Sequence, residues 1–331
     1  MKRFTNDIVD IKRGNTDIQK VYRGENLVWE RVSPVDLNLE YLVIGGGGGT
    51  PNSRINNGFV GSGGGGAGGY RSSVIGELSG SSTEAEPIFT ITLGLSYSLT
   101  VGAGGLGNIG LDQGGKGSNS VFSNIISEGG GGGGRQSRPG ATGSSGGGNC
   151  GQGAFAEVLG IVGQGSNGGN AVNTSTTHFS GGGGGGAGTE FIFATYSNTD
   201  LSNGGNGGHG LTSSITGTEI PRAGGGAGAP NLQPSGLRLA GTGGIGGGAN
   251  GTASSIGFAG QINTGGGGGG VCSLSTNNPG ANGGSGIVIL RYSTGLTPTF
   301  SPGVVDNTYV FNDKKVSVIT AAGPTDFVIF N

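Results

Sequence analysis

The sequence predicts an all-β, largely irregular fold: a bundle of extended polyglycine-II helices joined by short β-strands, with a small N-terminal β-meander and essentially no α-helix. Three observations carry this reading. Eighty-four of the 331 residues are glycine, gathered in runs between positions 45 and 286. The segments between runs hold Val, Ile, Leu, Phe and Thr in strand-like order, as in Phe89-Thr-Ile-Thr-Leu93 and Ile287-Val-Ile-Leu-Arg-Tyr292. The runs also recur in a repeated order, at the spacing of repeat architectures.

The longest runs, 45–49, 129–134, 181–186 and 265–270, have no side chains with which to build a core or favour a helix. Each ordered glycine costs an extra ~0.5–1 kcal/mol relative to alanine. A fold that uses so many gains close backbone-to-backbone approach. An extended run has three residues per turn and rises ~3.1 Å per residue, so six residues span ~19 Å. Packed side by side, such helices satisfy each other's N–H and C=O groups. The Gly-X-Y period of collagen is absent. A disordered linker is the alternative, but apolar residues make up 32% of the chain and charged residues 11%, whereas disordered chains are charge-rich and apolar-poor.

Along the chain, residues 1–33 read as a β module. Ile8-Val-Asp-Ile-Lys-Arg13, Thr16–Arg23 and Leu27–Arg31 form three short strands, with Gly14-Asn15 suited to a two-residue hairpin turn. So few residues bury little core alone, so Trp29 is expected to pack against a partner or the following domain. Ser33-Pro34 marks the boundary. Residues 34–293 form the glycine-rich domain. Each unit runs from a short Gly segment through a Ser/Thr/Ile connection to a long Gly run and an irregular loop. If short and long segments alternate in direction, the connections gather at one end and the irregular loops, 50–60, 135–164, 189–203, 229–240 and 271–281, at the other. Residues 294–331 form a C-terminal β tail, with strands over Thr308–Phe311, Lys315–Ile319 and Asp326–Phe330.

Charge excludes several functions. Seventeen basic and nineteen acidic residues leave a net −2, which argues against a dedicated nucleic-acid binder. No apolar stretch approaches the ~20 residues of a membrane span, and the N-terminal Met-Lys-Arg-Phe lacks the apolar region of a secretory signal. Cys150 and Cys272 are too few for a disulfide framework, and whether they pair stays open.

The apparent catalytic motifs lack their contexts. Gly102-Ala-Gly-Gly-Leu-Gly107 follows a strand but opens no helix. Gly110–Lys116 imitates a P-loop, with Gly117 where a magnesium-binding Ser or Thr belongs. Gly143-Ser-Ser-Gly-Gly147 has no strand-to-helix elbow. His178 and His209 lie in different repeats and read as polar fillers, and no Cys/His spacing matches a metal site. The expectation is a non-enzymatic protein without cofactor or metal.

The ordered set Glu40-Tyr-Leu-Val-Ile-Gly45, Gly63–Tyr70, Tyr97-Ser-Leu-Thr-Val-Gly-Ala-Gly-Gly105, Gly117-Ser-Asn-Ser-Val-Phe122, Leu211-Thr-Ser-Ser-Ile-Thr-Gly217 and Gly284-Ser-Gly-Ile-Val-Ile-Leu-Arg-Tyr292 resembles the glycine-rich domain of tailed-bacteriophage virion proteins. Gly14-Asn-Thr-Asp-Ile-Gln-Lys-Val-Tyr-Arg-Gly24 with Leu27-Val-Trp29 resembles a short module at the start of phage tail proteins. Less closely, the chain is similar to the tail-fibre-tip adhesins of T-even-like phages, which pack polyglycine-II helices in a sandwich and bind receptors through variable tip loops. The N-terminal module and the tail after Tyr292 fall outside that adhesin pattern.

The resemblance implies a virion structural protein, a tail-fibre or baseplate component made in the host cytoplasm and displayed on the tail or particle surface. Its partners would be other virion proteins and a bacterial surface receptor, protein or glycan, with room for a homo-oligomer. Aromatic and arginine residues are the usual contact anchors. The receptor-contact candidates are Arg54, Phe59, Arg135, Arg138, Phe191, Phe193, Tyr196, Leu232, Leu237, Arg238, Asn277 and Asn278, and Val21, Tyr22, Leu27 and Trp29 are the virion-attachment candidates.

Three rivals are set against this reading. A capsid-decorating or tail-joining protein would use the same loops on other virion subunits. An ice-binding polyglycine bundle would need a flat, regular Thr/Ala face and short connections. A glycan depolymerase would need two carboxylates about 5–10 Å apart, for which Glu157 and Glu190 are the candidates.

Overall fold

A computed structural model describes residues 36–331, apart from 53, 56–57, 109–111, 137, 152–155, 176–177, 190–195, 198–200, 232–237, 255 and 273–278. Before them it describes the strand residues 11–13, 16–18, 20–23 and 26–30. The chain forms two compact units, Met1–Asp36 and Leu37–Asn331.

In the first unit, Ile11–Arg13 pairs antiparallel with Thr16–Ile18, and Lys20–Arg23 with Asn26–Glu30. Val21 lies opposite Trp29 and Tyr22 opposite Leu27, with a register irregularity between the two pairs.

The second unit is built on backbone hydrogen bonds between glycine runs, and their order has a period of three. In 45–50, the N–H groups of Gly45 and Gly48 donate to Gly69 and Gly66, those of Gly46 and Gly49 to Ser118 and Gly115, and those of Gly47 and Thr50 to Gly284 and Ala281, at 2.8–3.0 Å. Three residues per turn aim every third amide at the same neighbour, as a polyglycine-II helix requires. The next donor in the first row falls on Pro51, which has no N–H, and the run ends there.

The 61–69 run lies at the centre. Gly61, Gly64 and Ala67 donate to Phe179, Gly182 and Gly185; Ser62, Gly65 and Gly68 to Val271, Gly268 and Gly265; Gly63, Gly66 and Gly69 to Gly134, Gly131 and Glu128. Its carbonyls accept from Gly45 and Gly48, from Ser145 and Gly148, and from Gly226 and Ala229. The six segments around it also bond to each other in sequence around the ring, which is hexagonal packing. No glycine of 45–49 or 61–69 has a positive φ, so glycine is needed here for space rather than for an unusual backbone conformation.

Tracing these bonds outward gives five stacked layers. They are 239–245, 247–251 and 257–261; 204–210, 223–229, 265–271 and 280–286; 181–186, 61–69, 45–50 and 102–108; 166–170, 145–149, 129–134 and 114–118; and 158–161 with 140–144. Outer segments carry side chains outward, as at Leu106, Leu159, Leu239, Ile245 and Ile262. Asparagine side chains there accept the amides that have no backbone neighbour. Asn203, Asn206 and His209, three residues apart, take the N–H groups of Leu239, Thr242 and Ile245 at 2.9, 2.8 and 3.0 Å.

A β-sandwich closes one pole. One sheet runs Phe89–Thr90, Asn38–Ile44, Ile287–Ser293, Lys314–Ala321, Val305–Phe311, with Tyr70–Ser72 also paired to Asn38–Ile44. The other runs Ile125–Ser127, Ser120–Phe122, Ser96–Thr100, Phe327–Phe330, Pro298–Phe300. The C-terminal strands extend both sheets, Lys314–Ala321 pairing with Ile287–Ser293 and Phe327–Phe330 with Ser96–Thr100, and residues 37–331 are one unit.

Alternation decides which face each residue covers. Leu39, Tyr41 and Val43 join Val288, Leu290, Tyr292, Phe122 and Phe330 between the sheets, while Leu42, Ile44, Ile287 and Ile289 face Tyr70, Ala187, Ile215 and Ala223 at the foot of the bundle. Phe122 and Phe330, fully buried, each contribute about 1.5–3 kcal/mol by burial. Glu40 and Arg291, opposite each other on neighbouring strands, form a two-pronged ion pair at 2.6 and 2.9 Å. The fold is essentially all-β, with no α-helix among the described residues.

Candidate functional site

The pole opposite the β-sandwich is where the chain repeatedly leaves and re-enters the bundle. The described ends of connectors 50–60, 109–113, 135–139, 150–157, 230–240 and 272–279 all lie at this level. Thr50 donates to Ala281, Asn52 to Asn108, Ser62 to Val271, Gly181 to Ala229, Gly204 to Leu239 and Thr252 to Gly270. Pro51 bridges Asn108 and Thr252 bridges Val271 in parallel. Thr50 and Ser62 fix this rim with their hydroxyls: Thr50 Oγ1 donates to the Gly269 carbonyl at 3.0 Å, and Ser62 Oγ accepts from the Val271 N–H at 2.7 Å.

Two connectors depart from the alternation expected of the repeats. The Ser/Thr-containing connections 171–180 and 252–256 stand at this pole, whereas 119–128 and 211–222 stand at the sandwich. Segments 140–144, 158–161, 239–245 and 257–261 are extended although other residues interrupt their glycines, and each adds a reversal. The 189–203 stretch does not stay at the connector pole. Thr189 donates to His209 at the sandwich end, while Leu201–Ser202 lies beside His178–Ser180 at the other.

Six of the twelve contact candidates lie among the described residues, three of them with hydrogen bonds or an ion pair at this pole. Arg135 and Arg138 exchange N–H···O bonds at 3.1 and 2.8 Å, closing a tight turn after the 129–134 run. Arg135 is buried, 4% exposed, and burial pushes its guanidinium below the usual value. Arg138 is exposed and faces Asp112 at 3.6 Å, which joins two connectors by a surface pair of small net energy. Arg238 Nη1 donates to the Asn231 carbonyl at 3.1 Å, and its guanidinium is likewise lowered by burial. Arg54 stands opposite Phe59 in the Arg54–Ile55/Gly58–Phe59 hairpin, and Tyr196 opposite Ser202. Phe191, Phe193, Leu232, Leu237, Asn277 and Asn278 lie outside the described residues, as does Glu190. Glu157 accepts from Asn167 at 3.3 Å.

The two cysteines, Cys150 and Cys272, are buried at this same rim and are not joined by a disulfide. The nucleotide-like and nucleophile-like motifs are absorbed by the lattice. Gly102 donates to Ser120 Oγ, Gly105 to Gly47, Gly114 to Gly133 and Gly117 to Gly130, so their amides are not turned toward a phosphate. Ser145 is fully buried, with its N–H on the Ala67 carbonyl. No helix among the described residues is long and apolar enough to cross a membrane.

A family model described as a glycine-rich domain matches residues 26–293, from the last N-terminal strand to the end of Ile287–Ser293. The chain belongs to the glycine-rich domain family. A comparison with curated protein sequences finds no match. In this glycine-rich domain protein, the match covers every lattice segment, while the sheet strands after Ser293 lie beyond it.

Proposed function

We propose that this glycine-rich domain protein is a non-enzymatic structural component of a tailed-bacteriophage virion, in a tail fibre or baseplate, whose connector pole meets the bacterial surface. The observation that carries the reading is the lattice register, which brings six connectors of unlike length and chemistry to one rim on a side-chain-free mount. Binding residues are commonly displayed on loops held by a rigid scaffold. Arg138, Arg238 and the aromatic connectors supply contact anchors, and the N-terminal strands, with Val21, Tyr22, Leu27 and Trp29, attach the protein to its virion neighbours.

The outer layer 239–245, 247–251 and 257–261 presents Leu239, Ile245 and Phe258, which disfavours the Thr/Ala ranks of an ice-binding face. The test is adsorption of labelled full-length protein to a panel of bacterial strains, with 230–240 and 272–279 replaced in turn by glycine-serine linkers of equal length. Strain-selective adsorption lost on replacement supports the reading. Adsorption that survives both replacements, or absence of adsorption from a protein that still assembles into particles, assigns the connectors to other virion subunits.

A further inference from the structure

The sandwich pole is the acidic end of the second unit. Residues 37–44, 70–101, 119–128, 211–222 and 287–331 hold nine acidic and five basic side chains, a net −4, in a chain whose total is −2. On this pole a groove of about 520 Å³ is lined by Ile75, Leu78, Pro87, Ile88, Glu77 and Glu84, with Glu86 at its side. That volume lies within the range of about 300–1,000 Å³ usual for binding clefts.

Its apolar side chains stand in water: Ile75 is 75% exposed, Leu78 44% and Ile88 36%. One of its three carboxylates is not neutralised from within. Arg71 is committed to Glu86 through both Nε and Nη2, and Tyr41 also donates to Glu86 at 2.9 Å. Glu84 is exposed and makes no ion pair among the described residues. Glu77 holds Ser214 through Oε1 at 2.7 and 2.8 Å and its Oε2 is buried, so Glu84 is the carboxylate that the groove presents to solvent.

We infer that this groove docks an extended segment of a partner protein that carries Lys or Arg beside apolar side chains. The apolar floor takes the segment's aliphatic residues, while Glu84 takes its cation. Charge complementarity decides the occupant: phosphate-bearing nucleic acid and anionic membrane are repelled by the net negative pole, and an acidic peptide equally so. The inference is independent of what the connector pole binds, because the groove lies at the other end of the bundle.

The experiment titrates the full chain with two fluorescein-labelled octapeptides, one alternating Leu and Lys and one alternating Leu and Glu, and follows anisotropy. The Leu/Lys peptide is expected to bind and the Leu/Glu peptide not. Raising the salt from 0.05 to 0.5 M weakens the former by about tenfold, as a charge-assisted contact requires. Glu84→Lys and Ile75→Ser, both at exposed positions, each weaken it by about tenfold, whereas Arg138→Ala at the connector pole leaves it unchanged. Equal binding of both peptides, or wild-type affinity in Glu84→Lys, overturns the inference. Sedimentation velocity covers the remaining occupant: self-association abolished by Glu84→Lys would make it a second copy of this chain and would overturn the assignment to a different partner.

Discussion

A Cβ placed on Gly65 would lie 2.0 Å from the carbonyl oxygen of Gly48. Gly65 also donates its own amide to Gly268 at 2.9 Å, so it cannot move away from Gly48 without losing that bond. We expect Gly65→Ala to destabilise the protein by about 3 kcal/mol or more, because backbone on both sides must separate. Leu106→Ala, at a position 71% exposed on an outer segment, should stay within about 0.5 kcal/mol. Urea unfolding of the two variants tests the contrast, and equal midpoints would remove the lattice from the account of stability.

The aromatic cluster of the sandwich is a second source of stability. Phe330 meets Tyr292 edge-on at 5.1 Å and lies 6.4 Å from Tyr97. Phe330→Ala is expected to cost about 3–5 kcal/mol. Since Phe330 stands on a strand that pairs with both Ser96–Thr100 and Pro298–Phe300, near-ultraviolet circular dichroism should report loss of packing in the same transition.

Asp326 ties two turns together. Its Oδ1 accepts from Ser301 Oγ at 2.6 Å and its Oδ2 from the Gly323 N–H at 2.7 Å, and these bonds hold its carboxyl below the usual aspartate value. A depressed folded value stabilises the fold above the unfolded value and loses that contribution as pH falls through the folded one. We expect the unfolding midpoint of the wild type to drop more steeply than that of Asp326→Asn between about pH 5 and pH 2. Parallel curves would contradict the assignment.

The asparagine ladder on the outer layer gives a local prediction. Asn206→Ala removes the acceptor of the Thr242 amide, a loss of about 1 kcal/mol. Hydrogen exchange at Thr242 should accelerate while that at Gly65 is unchanged, since the two amides lie in different layers.

Much of the architecture is legible in the residues. Runs without side chains announce extended segments in lateral contact, and the apolar, β-branched runs in Glu40–Ile44 and Ile287–Tyr292 announce strands buried on both faces. Which run lies beside which is not legible, because glycine runs carry no side chains to encode neighbours. Nothing in 61–69 marks it as the central segment rather than 129–134. The extended segments 158–161 and 257–261 are hidden by Leu159 and Phe258, which point outward and so need no glycine. A signal for the outer layers does exist in the three-residue spacing of Asn203, Asn206 and His209, each matched 36 residues later by Leu239, Thr242 and Ile245. At the connector pole, the sequence marks Arg135 and Arg138 alike as arginines in a turn. Only the fold separates the buried first from the exposed second.

The most direct test of the lattice is amide hydrogen exchange, read by NMR, along 61–69. If each of these amides is held by a neighbouring run, all of them exchange only through global opening, with no residue-to-residue alternation. Exchange of Gly64, Gly65 and Gly66 at the rate of an unstructured chain would contradict the account outright.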